Sequence, residues 1–222
     1  LPPSTSASRS NLPDDLRESL DVPPDVRTEL RRVSSRLGPF ARHIRWLRST
    51  GSTNDVASRL AELGADEGTT VVAEAQTCGR GRHGRVWFSP AGAGLYVSLI
   101  LRPSNEHPLS SRENPGALLT LASGVAIAEA VRAATGLPAE IKWPNDVMIG
   151  RRKSAAHSGA VQFIVLGFGL NLHPAAYPAA LASRATSIEA ETSRPADRAL
   201  ILAEILAAVA ERYADLRAGK FD

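Results

Sequence analysis

Apolar positions recur at helical spacing in four stretches of the chain and run in alternating or continuous strand-like blocks between them. Val26, Leu30, Val33 and Leu37 predict a helix over residues 24–37, ended by Gly38. Upstream, Leu12, Leu16 and Leu20 are the only periodic positions in a Ser-, Pro-, Asp- and Arg-rich segment, so much of residues 1–24 reads as loosely held. Residues 43–47 alternate and predict a strand. Residues 55–63 carry apolar side chains at 56, 57, 60 and 63 and predict a helix stopped by Gly64, with Ser52, Thr53 or Asn54 as its cap. Residues 69–75, β-branched, and 94–101 predict two further strands. A long core helix is predicted over 117–134, ended by Gly136 and Pro138. Residues 140–143 and 147–149 flank a Pro144-Asn145-Asp146 turn and predict a hairpin. Residues 162–171 predict a buried strand, 174–195 mostly loop, and 197–216 a last amphipathic helix. Strands and helices mix without a regular βαβ period. The expected fold is therefore α+β, a mixed β-sheet flanked by helices. Residues 1–39 read as an N-terminal extension, partly helical or loose, and residues 40–222 as the compact domain.

One stretch fits none of these periods. In Gln76-Thr77-Cys78-Gly79-Arg80-Gly81-Arg82-His83-Gly84-Arg85-Val86-Trp87, three glycines alternate with three arginines. Each glycine weakens regular structure by up to about 1 kcal/mol. A backbone that must come close to a ligand tolerates that cost, and arginine adds planar cationic forks suited to carboxylate and phosphate oxygens. The stretch predicts a loop closing over a small anionic molecule. An Arg-Gly nucleic-acid tether or a plain surface loop is the alternative at this level.

Composition narrows the choice. Of 222 residues, 43% are hydrophobic and 22% charged, as expected of a globular domain with a sizeable core. The balance of 26 basic against 23 acidic residues, +3, is too weak for wholesale nucleic-acid binding. A single cysteine, Cys78, excludes an internal disulfide and fits a reducing compartment. It lacks a Cys/His/Asn constellation and reads as a small tolerated side chain. No apolar run is expected to reach the roughly 18 residues of a membrane span, and no signal pattern opens the chain, so a cytoplasmic location is expected. The string Gly79-Arg80-Gly81-Arg82-His83-Gly84 matches a dinucleotide fingerprint, but no helix follows it. There is no P-loop ending, zinc spacing or nucleophile elbow.

Four signals then stand in order: Ser52-Thr53-Asn54, the Gly/Arg loop, Lys142-Trp143-Pro144-Asn145-Asp146, and Gly167-Phe168-Gly169-Leu170-Asn171. This set resembles the catalytic core of biotin–protein ligases over about residues 45–172, without the DNA-reading domain that some members carry at the N-terminus. The resemblance implies a class II aminoacyl-tRNA-synthetase-like catalytic fold and a two-step reaction. Biotin and MgATP give biotinyl-5′-AMP, and a lysine of a biotin carboxyl carrier domain then takes the biotinyl group. Carried over by position, it implies that Ser52, Thr53, Asn54 and Gln76 border the biotin pocket, with Gly79, Gly81, Trp87, Gly167 and Gly169. Arg80 and Arg82 close over biotin and the adenylate. Arg85, Lys142, Trp143, Asn145 and Asn171 hold ATP or the adenylate. Catalysis is implied for Arg82, Arg85, Lys142, Asp146 and Lys153, with Lys153 touching the biotin carboxylate and Asp146 the candidate Mg²⁺ ligand. A lid that orders over a hydrolysable intermediate would suit the chemistry.

The pattern breaks after Lys153. Family members continue Leu-Ala-Gly-Ile-Leu and a glutamate, whereas Ser154-Ala155-Ala156-His157-Ser158-Gly159-Ala160 follows here, and the interval to Phe163 is short. Either this strand has been lost, which would compromise the biotin pocket, or the chain as given omits residues between about 153 and 160; both flanks are intact, so omission is the expectation, and His157 takes no role. The small β domain usual after the last helix is also expected to be absent from the chain as given. The rival readings are a degenerate, non-catalytic biotin sensor and a lipoate-type ligase; the latter family lacks this Gly/Arg loop. Neither DNA nor membrane is an expected partner, and the state is expected to be a monomer or homodimer.

Overall fold

Five strands form a sheet: β1 (Ile44–Leu47), β2 (Thr70–Ala73), β3 (Gly94–Leu101), β4 (Met148–Gly150) and β5 (Ile164–Asn171), ordered β1-β2-β3-β5-β4. The computed structural model describes residues 19–80, 86–103, 115–139, 148–150, 163–175, 177 and 185–220. β1 and β2 are parallel, and the other pairings are antiparallel. This is the mixed sheet expected. β3 pairs with β5 from Gly94↔Asn171 to Leu101↔Ile164. Of the expected hairpin, β4 is present and pairs with β5; residues 140–147 lie outside the described residues.

Alternation along β3 divides the core in two. Leu95, Val97, Leu99 and Leu101 face one side, where they join α1 (Pro24–Arg32), α3 (Pro115–Thr135) and α5 (Arg198–Arg217). Ile100 faces the other side, where Val71, Ala73 and Val165 pack under Ala57, Leu60 and Ala61 of α2 (Thr53–Glu62). By the same period, Ser98 and Tyr96 lie on the α2 side. All eight residues of β3 are buried, which explains its continuous apolar run.

The sequence reading of α5 as amphipathic understates its burial. Ile201, Leu202, Ile205, Leu206 and Val209 are all buried, because α1 and α3 flank the helix as well as the sheet. Asp197 starts it by accepting a hydrogen bond from Leu200 N at 2.9 Å. Contrary to the expectation that no apolar stretch is long enough, α3 could by length and composition alone cross a membrane. Here Leu119, Ala126, Ala130 and Val131 of α3 belong to the same core as α5. In α1 the four predicted positions are buried, although the helix ends at Arg32 and a 3₁₀ turn, Ser34–Arg36, completes the stretch. Part of the segment read as loose is tied down: Leu20 N donates to Trp46 O at 2.7 Å. A short helix, α4 (Ile188–Thr192), interrupts the predicted loop.

The crossover helix α2 is braced at its C-terminus by Arg102, which follows β3. Its guanidinium donates to Ala61 O (2.7 Å) in the last turn and to Ala65 O (2.9 Å) just beyond it. Glu67 in turn accepts from Arg102 N, Tyr213 Oη and Arg217, joining the two halves of the core. Burial and the bond to Glu67 push the Tyr213 hydroxyl well above its usual range.

α1 is clamped to α5 by charge. Arg32 and Arg36 donate to Glu204 at 2.6 and 2.8 Å, and Arg36 also meets Glu211 at 2.7 Å. Burial pushes the Glu204 carboxyl up, but the hydrogen bonds from Arg32 and Arg36 outweigh it and hold the group below the ordinary 4.5. A depressed carboxylate stabilises the fold above its unfolded pKa and loses that contribution as pH falls through the folded one. Glu204→Gln should therefore lower the thermal midpoint at pH 7, and the gap from the parent protein should close as the pH drops below about 4.5. Melting curves across pH 3–8 read the difference directly.

Candidate active site

The parallel β1–α2–β2 crossover sets the N-terminus of α2 above the sheet, where the first N–H groups of a helix have no internal partner. The sequence leads one to expect Ser52, Thr53 or Asn54 to cap it. Ser52 does occupy the cap position in extended geometry, but its side chain makes no capping bond. The oxygen comes from elsewhere: Gln76 Oε1 accepts from Thr53 N at 2.8 Å and from Thr53 Oγ1 at 3.2 Å. The neighbouring side chains are thereby released from capping.

Gln76 also begins a ribbon. Its backbone N donates to Ser89 O (3.1 Å), its Nε2 to Ser89 Oγ (2.9 Å), and Trp87 N donates to Gly79 O (2.7 Å). Bridges Gln76↔Ser89 and Arg80↔Val86 pair the two stems of the Gly/Arg stretch. Close approach explains Gly79, since a Cβ there would sit 2.5 Å from Trp87 O and 2.7 Å from Ser89 Oγ. Tyr96 fixes the far end by donating to Pro90 O at 3.0 Å; burial pushes its hydroxyl up to about 12, so it remains a donor at neutral pH.

The two glycines of β5 are absences that other side chains use. A Cβ at Gly167 would overlap the Asn54 amide, and one at Gly169 would lie 2.7 Å from Trp87 Nε1 and 2.9 Å from its Cε2. The Trp87 Nε1 is buried and has no hydrogen-bond partner among the described residues. Below Asn54, Ser98 of β3 places its hydroxyl 2.7 Å from Asn54 Oδ1 and 2.8 Å from Thr53 Oγ1.

A small cleft, open to solvent, lies between these groups. Ser52, Thr53, Asn54, Gln76, Arg80, Trp87, Gly167 and Gly169 line it, with Val97 and Phe168. These eight are sequence-predicted site residues, and the fold brings them together. Gly79 lies just behind, against Trp87 O. Asn171 does not reach the cleft: it ends β5 and its Nδ2 donates to Thr186 O at 3.0 Å. Gly81, Arg82, Arg85, Lys142, Trp143, Asn145, Asp146 and Lys153 lie outside the described residues. Arg80, at the mouth, is half-exposed and bonded to Asp55 in the first turn of α2 at 2.8 Å. Among the described residues no three His, Cys, Asp or Glu side chains gather as a metal site, and the candidate ligand Asp146 lies outside them. The wall is neutral and polar, with one cation at the rim. Such a site fits an uncharged hydrogen-bonding head group with a carboxylate toward the opening.

Residues 46–167 match the model of the biotin/lipoate A/B protein ligase family. The chain belongs to this family. Among its relatives is the bifunctional ligase/repressor BirA of Bacillus subtilis, 38% identical over 173 residues, which cover 74% of this chain and 51% of that protein. A biotin–[acetyl-CoA-carboxylase] ligase of Mycobacterium tuberculosis is 38% identical over 163 residues, 70% of this chain and 59% of the relative. This chain thus spans little more than half the length of the curated relatives it matches. The Aquifex aeolicus biotin protein ligase, solved with biotin and ATP, superposes with a TM-score of 0.64 at 29% identity, over 81% of this chain and 74% of that one. The ligase-family fold, a mixed sheet flanked by helices, is the one expected from the motifs.

Ser98, Ser89 and Asp55 were not singled out from the sequence. Ser98 had a signal, being the one hydroxyl inside the apolar strand 94–101 apart from Tyr96. Ser89 and Asp55 had none, because their partners come from distant positions. Gly169→Ala should leave the fold intact but displace the Trp87 ring from β5. The expected readout is stronger acrylamide quenching of tryptophan fluorescence, an increase that vanishes when Trp87 is also replaced by Phe.

Proposed function

We propose that this chain is the catalytic core of a biotin–protein ligase working in the cytoplasm. It activates biotin with MgATP to biotinyl-5′-AMP and transfers the biotinyl group to a lysine of a biotin carboxyl carrier domain. The observation that supports the reading best is the hydrogen-bonded wall of Thr53, Asn54 and Gln76, held from behind by Ser98 and Ser89. A cyclic urea is neutral and carries both donors and an acceptor, so it suits a neutral wall that offers both. The Trp87 ring, seated over Gly169, flanks the wall and suits the sulfur ring and aliphatic chain.

In the first step a carboxylate oxygen of biotin attacks the α-phosphorus, and the bond to pyrophosphate breaks. In the second the lysine nitrogen attacks the acyl carbon, AMP leaves, and the amine loses a proton. Both steps bring anionic oxygens together, and cations fixed beforehand in a site shielded from water lower that cost. Arg80 stands at the rim for this purpose, and the motif resemblance adds Arg82, Arg85, Lys142 and Lys153. Mg²⁺ would enter with ATP and neutralise phosphate charge, since the described cleft residues offer amides, hydroxyls and a cation but no free carboxylate cluster.

The test is incubation with labelled biotin, MgATP and a carrier-domain acceptor. Acid-stable label on the acceptor is the expected result. Biotin binding without adenylate or transfer would leave a degenerate sensor, and no biotin binding would sink both. Asn54→Ala and Thr53→Ala should each weaken biotin binding roughly 10- to 100-fold by calorimetry, the scale of one lost buried hydrogen bond of about 1–3 kcal/mol.

A further inference from the structure

We infer that Ser98 is a positioning residue that sets the polarity of the cleft wall, turning the Asn54 amide so that it donates to the ligand. The inference rests on the biotin reading of the cleft, and Ser98 itself does not line it.

Ser98 is fully buried in the middle of β3, between Val97 and Leu99, paired across to Gly167 of β5. A hydroxyl in such a strand is costly to bury unless it is bonded, and both of its bonds go to α2. The Asn54 Oδ1 lies 2.7 Å away and the Thr53 Oγ1 2.8 Å away. A hydroxyl has one proton to give, and an amide carbonyl can only accept, so Ser98 donates to Asn54 Oδ1. The Thr53 hydroxyl in turn gives its proton to Ser98 Oγ at 2.8 Å, its 3.2 Å approach to Gln76 Oε1 being the longer arm of a shared bond. Gln76 cannot turn round, because the Thr53 backbone N–H can only donate and requires an oxygen opposite it.

With Oδ1 committed below, the part of the Asn54 amide left for the cleft is Nδ2 and its two protons; no described residue accepts from it. Gly167 completes the arrangement, since any Cβ there would occupy the space of the amide. The cross-strand pair Ser98↔Gly167 is thus one seat, with a bond on one side and a vacancy on the other. The ligand atom that this wall selects is an acceptor, such as the carbonyl oxygen of a cyclic urea. A ring presenting only donors at that position is refused.

The probes are biotin and 2-iminobiotin, whose cationic guanidinium replaces the urea carbonyl with a donor. The wild-type protein should bind biotin far more tightly than the imino compound. Ser98→Ala frees the amide to turn its oxygen outward, so biotin affinity should fall while iminobiotin affinity holds or rises, collapsing the ratio by roughly tenfold or more. Ser98→Cys keeps the volume but donates weakly, and should give an intermediate ratio; a pure packing role predicts that Cys restores everything. A Ser98→Ala protein that loses affinity for both ligands equally, or for neither, overturns the role of Ser98 alone. Wild-type protein that binds neither overturns the ligase reading, and this one falls with it.

Discussion

The side-chain oxygen of Gln76, set against the first N–H of α2, is the contact on which the cleft depends. A helix start above a sheet must find acceptors or remain hydrated. By drawing that acceptor from the strand-to-ribbon junction, the fold ties two elements of the cleft to each other and frees Thr53 and Asn54 to look elsewhere. Ser89 holds the other end of the same amide, so the ribbon stems, the helix start and β3 become one bonded unit. The opposite face of the sheet carries most of the apolar core and no part of this polar network. The two tasks are divided by the two-residue period of the strands.

Much of this was legible beforehand, for different reasons. The helices showed because their burial is one-sided enough to leave a period, as with Val26, Leu30, Val33 and Leu37. β3 showed as an apolar run because both of its faces are covered. Thr53, Asn54 and Gln76 were legible only as members of a motif, and the capping role assigned to the first two was wrong in its physical detail. Local rules favour the nearest hydroxyl or amide, whereas here an amide 23 residues away from Thr53 reaches the same N–H. Ser98 and Ser89 lay beyond such rules altogether, for their meaning resides in partners that only the folded chain supplies.

Charge is used sparingly near the cleft and generously away from it. The arginines of α1 and the glutamates of α5 form a bidentate clamp on the outer side, and Glu67 collects three donors at the end of the sheet. At the cleft, Arg80 and Asp55 are the ion pair of the described residues, and they sit at the rim. The polar wall itself carries no charge, so the charge at the cleft is confined to that pair.

Arg102 and Gln76 hold α2 from opposite ends, one from the exit of β3 and the other from the exit of β2. A helix braced in this way resembles a beam on two supports. It has little freedom to tilt, so a ligand pressing on its first turn meets resistance along the whole span. Adaptation to different ligands is then left to the ribbon. In a lineage that changes substrate, sequence drift should concentrate in the ribbon, while the beam and its two supports change together or not at all.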